Sequence, residues 1–350
     1  MSVMEASMTM PQALSKLMGG HDLLREEAFA VMSLIMKGEA TPAQIGGIVV
    51  ALRLKGETVD EITGFAEAMR SFSSSQVRTA NEDLLDTCGT GGSGIHKFNI
   101  STSSAIIAAA AGVRVAKHGN RAMSGKAGSA DVLEALGVNI QLTADQASEC
   151  LDRTGICFMF AQLYHPALKH AAAPRKELGV RTIFNMLGPL ANPANADRQL
   201  MGLYDRTRTA TVAQVLSRLG LRRAMVVGSH DGLDEISISA PTQISELRDG
   251  VVTTYDVTPE ALGLATVALG EVQGGDAAEN AAIIRRVLSG EKSAYRDVVL
   301  ANAGACIYVA GRAETLADGV KRAAETIDSG AAQDKLQQWI ATTGEVGHVS

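Results

Sequence analysis

From residue 86 onward, short apolar runs alternate with helix-patterned segments, and this alternation constrains the fold more than any other feature of the chain. Segments 113–116, 156–160 and 224–228 read as buried strands, each a brief apolar run bounded by turn residues. Segments 101–111, 129–136 and 143–153 carry the spacing of helices. Strands separated by helices pair in parallel, because each crossover returns the chain to the same end of the sheet. The fold class predicted for residues 79–350 is therefore an α/β domain with a mostly parallel central sheet.

The first 78 residues have a different rhythm. Leu24, Ala28, Val31, Met32 and Ile35 make one apolar stripe, with Asp22 as the expected N-cap and Gly38 as the stop. Thr41-Pro42-Ala43-Gln44 is a capping box with proline at the first helical position, and that helix should stop at Gly56. Thr58 to Glu61 repeats the box, and the serine-rich stretch 71–75 ends the series. These signals predict a small all-helical domain over residues 1–78. The proline-punctuated, basic segment 164–193 is expected to leave the sheet domain and pack against it.

At 350 residues and 46% hydrophobic content the chain has material for two domains. Its formal charge of −6 has the wrong sign for coating nucleic acid or an anionic membrane. The longest apolar run, 105–113, falls far short of the roughly 20 residues a membrane helix needs. The opening MSVMEASMTM has an acid and no basic stretch, unlike a secretory signal, so a cytoplasmic protein is expected. Cys88, Cys150, Cys157 and Cys306 form no C-x-x-C pair and read as free thiols. The scattered histidines do not suggest zinc.

The stretch DTCGTGGSGIHKFNIST, residues 86–102, matches the G-x-G-x-x-G of a dinucleotide turn at Gly89, Gly91 and Gly94. Such a turn needs a helix opening at its third glycine and a carboxylate about 20 residues further on. Here the helix is expected only at Ser101, and 109–114 is AAAGVR, so the nicotinamide reading fails both tests. No Asp or Glu occurs from Thr87 to Ala130, whereas Lys97, Arg114, Lys117, Arg121 and Lys126 do. Glycines that admit close backbone approach, hydroxyls at Ser101 and Thr102, and a helix N-terminus suit a ligand with several phosphates. KHGNRAMSGKAGS, residues 117–129, adds a second glycine-rich basic loop after a strand. HDGLDE, residues 230–235, ends in adjacent carboxylates suited to Mg²⁺, which takes one or two carboxylates plus phosphate and water oxygens; a simple turn reads equally well from this segment alone.

With these motifs assembled, the chain resembles the anthranilate phosphoribosyltransferases over nearly its whole length. MKGEATPAQIGGIVVALRLKGET is similar to the family's helical opening, GTGGSG with FNIST to its phosphate loop, and VAKHGNRAMSGKAGSADVLEALG to its next loop. HPALKHAAAPRKELGVRTIFNMLGPLANP and DGLDEIS follow in the family's order, and Gly274-Gly275 and the Asn302 segment fit its C-terminal part. Related nucleoside phosphorylases share the fold and a glycine loop, but not KHGNR joined to the RTIFN segment.

The resemblance implies a homodimer and a step of tryptophan biosynthesis. In that step anthranilate's amine attacks C1 of phosphoribosyl pyrophosphate, giving N-(5-phosphoribosyl)anthranilate and pyrophosphate. It assigns phosphoribosyl pyrophosphate to Gly89, Gly92, Ser93, Lys97, Asn99, Ile100, Ser101 and Thr102 in the first loop. Lys117, Asn120, Arg121, Ser124, Gly125 and Ser129 are assigned from the second. Anthranilate falls to Gly89, Asn120 and Arg175, and Mg²⁺ to Ser101, Asp234 and Glu235. No catalytic residue is fixed by the motifs; His118 is the candidate for orienting the amine or accepting its proton. Association with an anthranilate synthase is a further implied partnership, and no nucleic acid or membrane partner is expected. Two positions depart from the family pattern: Ser93 stands where an acid is common, and Lys97 where a small hydroxyl residue is usual. Lys97 is expected to supply charge that metal supplies elsewhere. The competing readings are a pyrimidine-nucleoside phosphorylase and a nucleic-acid binder on the same scaffold.

Overall fold

A computed structural model of the chain describes residues 8–79, 83–122 and 126–348. Its N-terminal part is four helices, α1 (Met10–Met18), α2 (Arg25–Lys37), α3 (Pro42–Lys55) and α4 (Val59–Ser71). Thr41 and Thr58 each cap their helix, accepting from the backbone N–H of Gln44 and Glu61 while those side chains accept in return. Gly38 ends α2 with a left-handed φ of 75°. Asp22 is not the N-cap of α2: Leu24 holds that place, with its N–H donated to the Glu27 carboxylate at 2.8 Å. Asp22, in the loop before α2, instead accepts from Lys55 at the end of α3 at 2.6 Å, an ion pair that no local pattern reveals.

Among the described residues seven strands form one sheet in the order β3-β2-β1-β4-β5-β6-β7. They are β1 (Leu84–Gly89), β2 (Arg114–Gly119), β3 (Ile156–Phe160), β4 (Arg198–Gly202), β5 (Arg223–Ser229), β6 (Thr242–Arg248) and β7 (Val251–Val257). Strands β1 to β5 pair in parallel, with α5 (Ile100–Ala110) crossing from β1 to β2 and α6 (Ser129–Leu136) and α7 (Ala144–Thr154) from β2 to β3. The edge formed by β6 and β7 is antiparallel. Asp249 and Gly250, with φ of 51° and 78°, make the two-residue turn between them, the backbone twist that a tight hairpin favours.

Side-chain alternation along the central strands builds two cores. Leu200, Met225 and Val227 face one, which also holds α5 and the C-terminal helices; Met201, Ala224 and Val226 face the other, which is filled by α2, α3 and α4. Segment 164–193 joins the second core through Ala171, Ile183, Phe184, Leu187 and Leu190. Arg70 of α4 reinforces this layer, donating to the carbonyls of Leu190 at 2.7 Å and Leu219 at 3.4 Å. The chain runs from β1 outward to β2 and β3, then returns to β4 on the opposite side of β1. That reversal opens a crevice at the C-terminal ends of β1 and β4, where open α/β sheets bind ligands.

Candidate active site

A cavity of about 430 Å³ occupies this crevice. The loop after β1 forms its floor, and Gly91, Gly92 and Gly94 there have φ of 64°, 77° and 78°, a region that residues with a Cβ rarely enter. Thr90 N donates to the Gly202 carbonyl at 2.9 Å and Gly91 N to Asp234 Oδ2 at 3.1 Å, so β1, β4 and the loop after β5 are stitched together. Gly202 permits that approach, since a Cβ at this position would lie 2.0 Å from the Asp234 carbonyl. Asn99 caps α5 without a side-chain bond to its first turn, which leaves the early N–H groups available to an anion.

Every described candidate residue borders the cavity, from Gly89 at the end of β1 to Asp234 and Glu235 after β5. Ser124 and Gly125 lie outside the described residues. Placement on the wall does not make all candidates alike. Ile100 has its side chain fully in the core and offers only backbone. Lys117 is almost completely buried; its ammonium donates to the Thr87 carbonyl and to Ser101 Oγ at 3.3 Å, so it holds the first turn of α5 in place. Arg121 is turned to Asp131 at 2.9 Å and Glu134 at 2.5 Å rather than left free for phosphate. Asn120 uses its carbonyl Oδ1 on Arg121 N at 2.8 Å, and Ser129 Oγ donates to the Asn120 carbonyl at 3.3 Å.

The acid-free window therefore does not yield a set of unpaired cations, because the fold imports acids from elsewhere. Arg114 meets Asp152 at 2.7 Å, and Lys97 meets Asp234 at 3.0 Å and Glu235 at 2.9 Å. Burial opposes the Lys97 charge, but the two carboxylates outweigh it and hold the ammonium above its usual pKa. Glu235 is pushed up by burial against the pull of Lys97. Lys126, exposed on the cavity rim, has no charged partner among the described residues.

The opposite wall comes from segment 164–193. Arg175 lies over the Phe184 ring at 5.2 Å, and no carboxylate pairs with it among the described residues. Burial lowers its pKa, the signature of a cation held without an anion. His118 stands nearby on β2, its ring edge-on to His165 at 5.2 Å. Burial brings the two histidines down to about 3 and about 4, so both are neutral at physiological pH. His118 Nε2 is buried and has no hydrogen-bond partner among the described residues.

Three residues have supporting roles that the motifs did not assign. Asp86 accepts the His118 N–H at 3.2 Å. Asn280 bridges Asn99 at 2.9 Å and the Gly275 N–H at 2.8 Å, tying the distant Gly-Gly pair to the phosphate loop. Asn302 holds both backbone groups of Ile236 at 3.0 and 2.9 Å, next to the carboxylate pair. The available signal was a polar residue inside an apolar helical run, as Asn302 is in VVLANAGACIYV.

Comparison with known proteins agrees with this architecture. Residues 11–73 match the Glycosyl transferase family, helical bundle domain, and residues 81–333 match the Glycosyl transferase family, a/b domain. An anthranilate phosphoribosyltransferase of Brevibacillus brevis is 53% identical over 343 residues, covering 97% of this chain and 99% of that protein. One from Thioalkalivibrio sulfidiphilus is 52% identical over 336 residues, covering 96% and 99%. The crystal structure of the Thermus thermophilus enzyme superposes with a TM-score of 0.90 at 43% identity, covering 95% of this chain and 99% of that one. The Saccharomyces cerevisiae enzyme, solved in complex with PRPP and Mg, superposes at 0.84 with 25% identity, covering 96% and 98%. With a cavity at the sheet's switch point and relatives matched end to end, the chain belongs to the anthranilate phosphoribosyltransferase family and transfers a phosphoribosyl group to the amine of anthranilate.

Proposed function

We propose that phosphoribosyl pyrophosphate lies along the glycine loop and the first turn of α5, with anthranilate between it and Arg175. The observation that carries this reading is the polarity of the cavity: an acidic pair and an anion-ready helix terminus on one wall, and on the other a guanidinium that no carboxylate pairs among the described residues. Arg175 can grip the anthranilate carboxylate through two parallel hydrogen bonds. Asn120 and Gly89 border the space between the two ligands.

Asp234 and Glu235, with Ser101, would hold Mg²⁺, whose charge neutralises the pyrophosphate as it departs. The residues fit such an ion. Both carboxylates are buried, and both already hold a cation, Asp234 through Oδ1 and Glu235 through Oε1. Among the described residues no group of three or more His, Cys, Asp or Glu could form a cage, so phosphate and water oxygens would complete the shell, as Mg²⁺ prefers.

In the reaction the amine nitrogen bonds to C1, the bond from C1 to the pyrophosphate oxygen breaks with its electron pair on pyrophosphate, and the amine loses a proton. The amine is already a nucleophile, so alignment and electrostatics suffice. Burial makes His118 a weak base, and its neutral ring on the cavity lining suits it to position the amine rather than to take its proton. Purified protein should consume anthranilate, followed by its fluorescence, only with both phosphoribosyl pyrophosphate and Mg²⁺ present. Metal-independent turnover would overturn the metal assignment, and nucleoside phosphorolysis at a comparable rate would overturn the substrate assignment.

We further read the chain as a helical unit, 1–78 with 164–193 docked on it, and an α/β unit, 79–350. A homodimer through the helical unit is supported by Met18 and Leu54, 75% and 82% exposed on the adjacent helices α1 and α3. No described helix is long and apolar enough to cross a membrane, which agrees with a cytoplasmic enzyme. Association with an anthranilate synthase is the remaining partnership the family suggests, and co-elution of the two proteins is its test.

A further inference from the structure

The carboxylate pair at the cavity is closed by a residue of the chain itself. Lys97 Nζ lies 3.0 Å from Asp234 Oδ1 and 2.9 Å from Glu235 Oε1, and it also donates to the Asp234 carbonyl at 3.3 Å. Solvent barely reaches this contact: the three side chains are 17%, 1% and 4% exposed. Two neighbouring buried carboxylates repel one another, and the ammonium removes that repulsion. It does so from the position in which the same oxygens would hold a divalent ion. Lysine and metal cannot share that position, since two cations would then sit within contact distance in a site of low dielectric.

The backbone at Lys97 is pinned independently of its side chain, which is held through its ammonium. Lys97 forms an isolated antiparallel bridge with Gln273, and Gly274 N donates to the preceding His96 carbonyl at 2.9 Å. The following Phe98 is buried and meets Tyr295 edge-on at 5.1 Å. The four-carbon stem of a lysine has freely rotating bonds and borders the open cavity here. The ammonium can therefore leave the carboxylates by side-chain rotation, with no movement of the loop.

We propose that Lys97 is a tethered cation that closes the Asp234–Glu235 pair in the ligand-free protein and is displaced into the cavity when a divalent cation binds. Metal entry and the presentation of an extra positive charge to a diphosphate are then one event. A bare divalent ion binds weakly because it must evict the ammonium. The same ion arriving with a diphosphate binds more tightly, because the evicted ammonium gains phosphate oxygens as partners, and the coupling is reciprocal. This sharpens the expectation for Lys97 drawn from sequence: it competes with metal in the empty site and supplements it only when the diphosphate is present.

The inference rests on reading Asp234 and Glu235 as the metal pair, and the test separates the two. Mn²⁺ binding is measured by electron paramagnetic resonance on four full-length proteins without substrate: wild type, Lys97→Met, the double variant Asp234→Asn with Glu235→Gln, and all three changes together. Lys97→Met should bind Mn²⁺ about tenfold or more tightly than wild type, within the range typical of coupled sites, and the triple variant should lose that gain. Inorganic pyrophosphate should tighten Mn²⁺ binding to wild type more than to Lys97→Met. Equal affinity in wild type and Lys97→Met, with loss in the double variant, overturns the role of Lys97 and leaves the metal pair standing. A gain that survives in the triple variant places the ion elsewhere and overturns both. Should Lys97→Met not fold, the wild type still decides. Acetylation of Lys97 by acetic anhydride, quantified by peptide mass spectrometry, should quicken several-fold on saturating Mn²⁺, and an unchanged rate refutes displacement.

Discussion

Arg175 and His118 show how burial without a partner prepares a side chain for a ligand. A guanidinium that meets the Phe184 ring but no carboxylate among the described residues has given up water with little compensation, and a substrate carboxylate restores the lost bonds. Arg175→Ala should raise KM for anthranilate about tenfold or more, the scale of losing ~1.5–3 kcal/mol from a charged hydrogen bond, with phosphoribosyl pyrophosphate binding near normal. Arg175→Lys should recover little, because an ammonium cannot form the parallel pair. Equal weakening of both substrates would assign Arg175 to structure instead. The two histidines make a separate prediction. Folding brings His118 to about 3 and His165 to about 4, through burial, from an ordinary value of 6.5. As pH falls below 6.5 the unfolded chain takes up protons that the folded chain refuses, so stability is full above that pH, declines through the window, and levels off below about 3. Calorimetry should show Tm falling from pH 7 to pH 4.5 by this linkage. His165→Gln, which keeps a donor for the Ala191 carbonyl, should make the fall shallower; an unchanged slope would remove His165 from the account.

At the scale of elements, the site depends on strand ends that lack side chains. Glycine closes β1 and β4, and the loop carrying Asp234 lies in the space this leaves. Gly202→Ala would place a Cβ 2.0 Å from the Asp234 carbonyl, a clash with backbone that only displacement of the loop relieves. Metal-dependent turnover should fall by at least about tenfold, as expected when a positioned group moves by an ångström, while far-ultraviolet circular dichroism stays native. A Gly202→Ala enzyme with normal turnover would show that this loop has slack. The capping boxes of α3 and α4 and the stops at Gly38 and Gly56 were legible because each is a contact between near neighbours in sequence. Strands β1, β4, β6 and β7 escaped that reading. β4 mixes Arg198 and Gln199 with apolar residues, and β7 is a largely exposed edge, so neither presents the continuous apolar run of a buried parallel strand.

Across the whole molecule, the sheet is a wall shared by two cores. Adjacent residues of β4 and β5 point to opposite sides, so neither core can open without exposing the strands that seal the other. Met225→Ala in the first core and Met201→Ala in the second, both fully buried, should each cost ~2–5 kcal/mol. Each should shift the same cooperative transition in calorimetry. Two resolved transitions, one moved by each variant, would mean that the helical layer unfolds independently.

What the sequence by itself determined was local: where the helices of the N-terminal part and the first crossovers lie, that three short apolar runs are buried strands, and which loops are shaped for phosphate. Caps, apolar periods and glycine turns act over a few residues, so their physics is complete within the segment that carries them. Tertiary structure alone decided which charges remain available. The acid-free window looked like five waiting cations, yet Asp152, Asp131, Glu134, Asp234 and Glu235 come from outside it to meet Arg114, Arg121 and Lys97. Arg175 has Glu177 two residues away in the sequence, yet it pairs with no acid among the described residues. A charge is set by its neighbours in space, and the order of strands in the sheet chooses those neighbours.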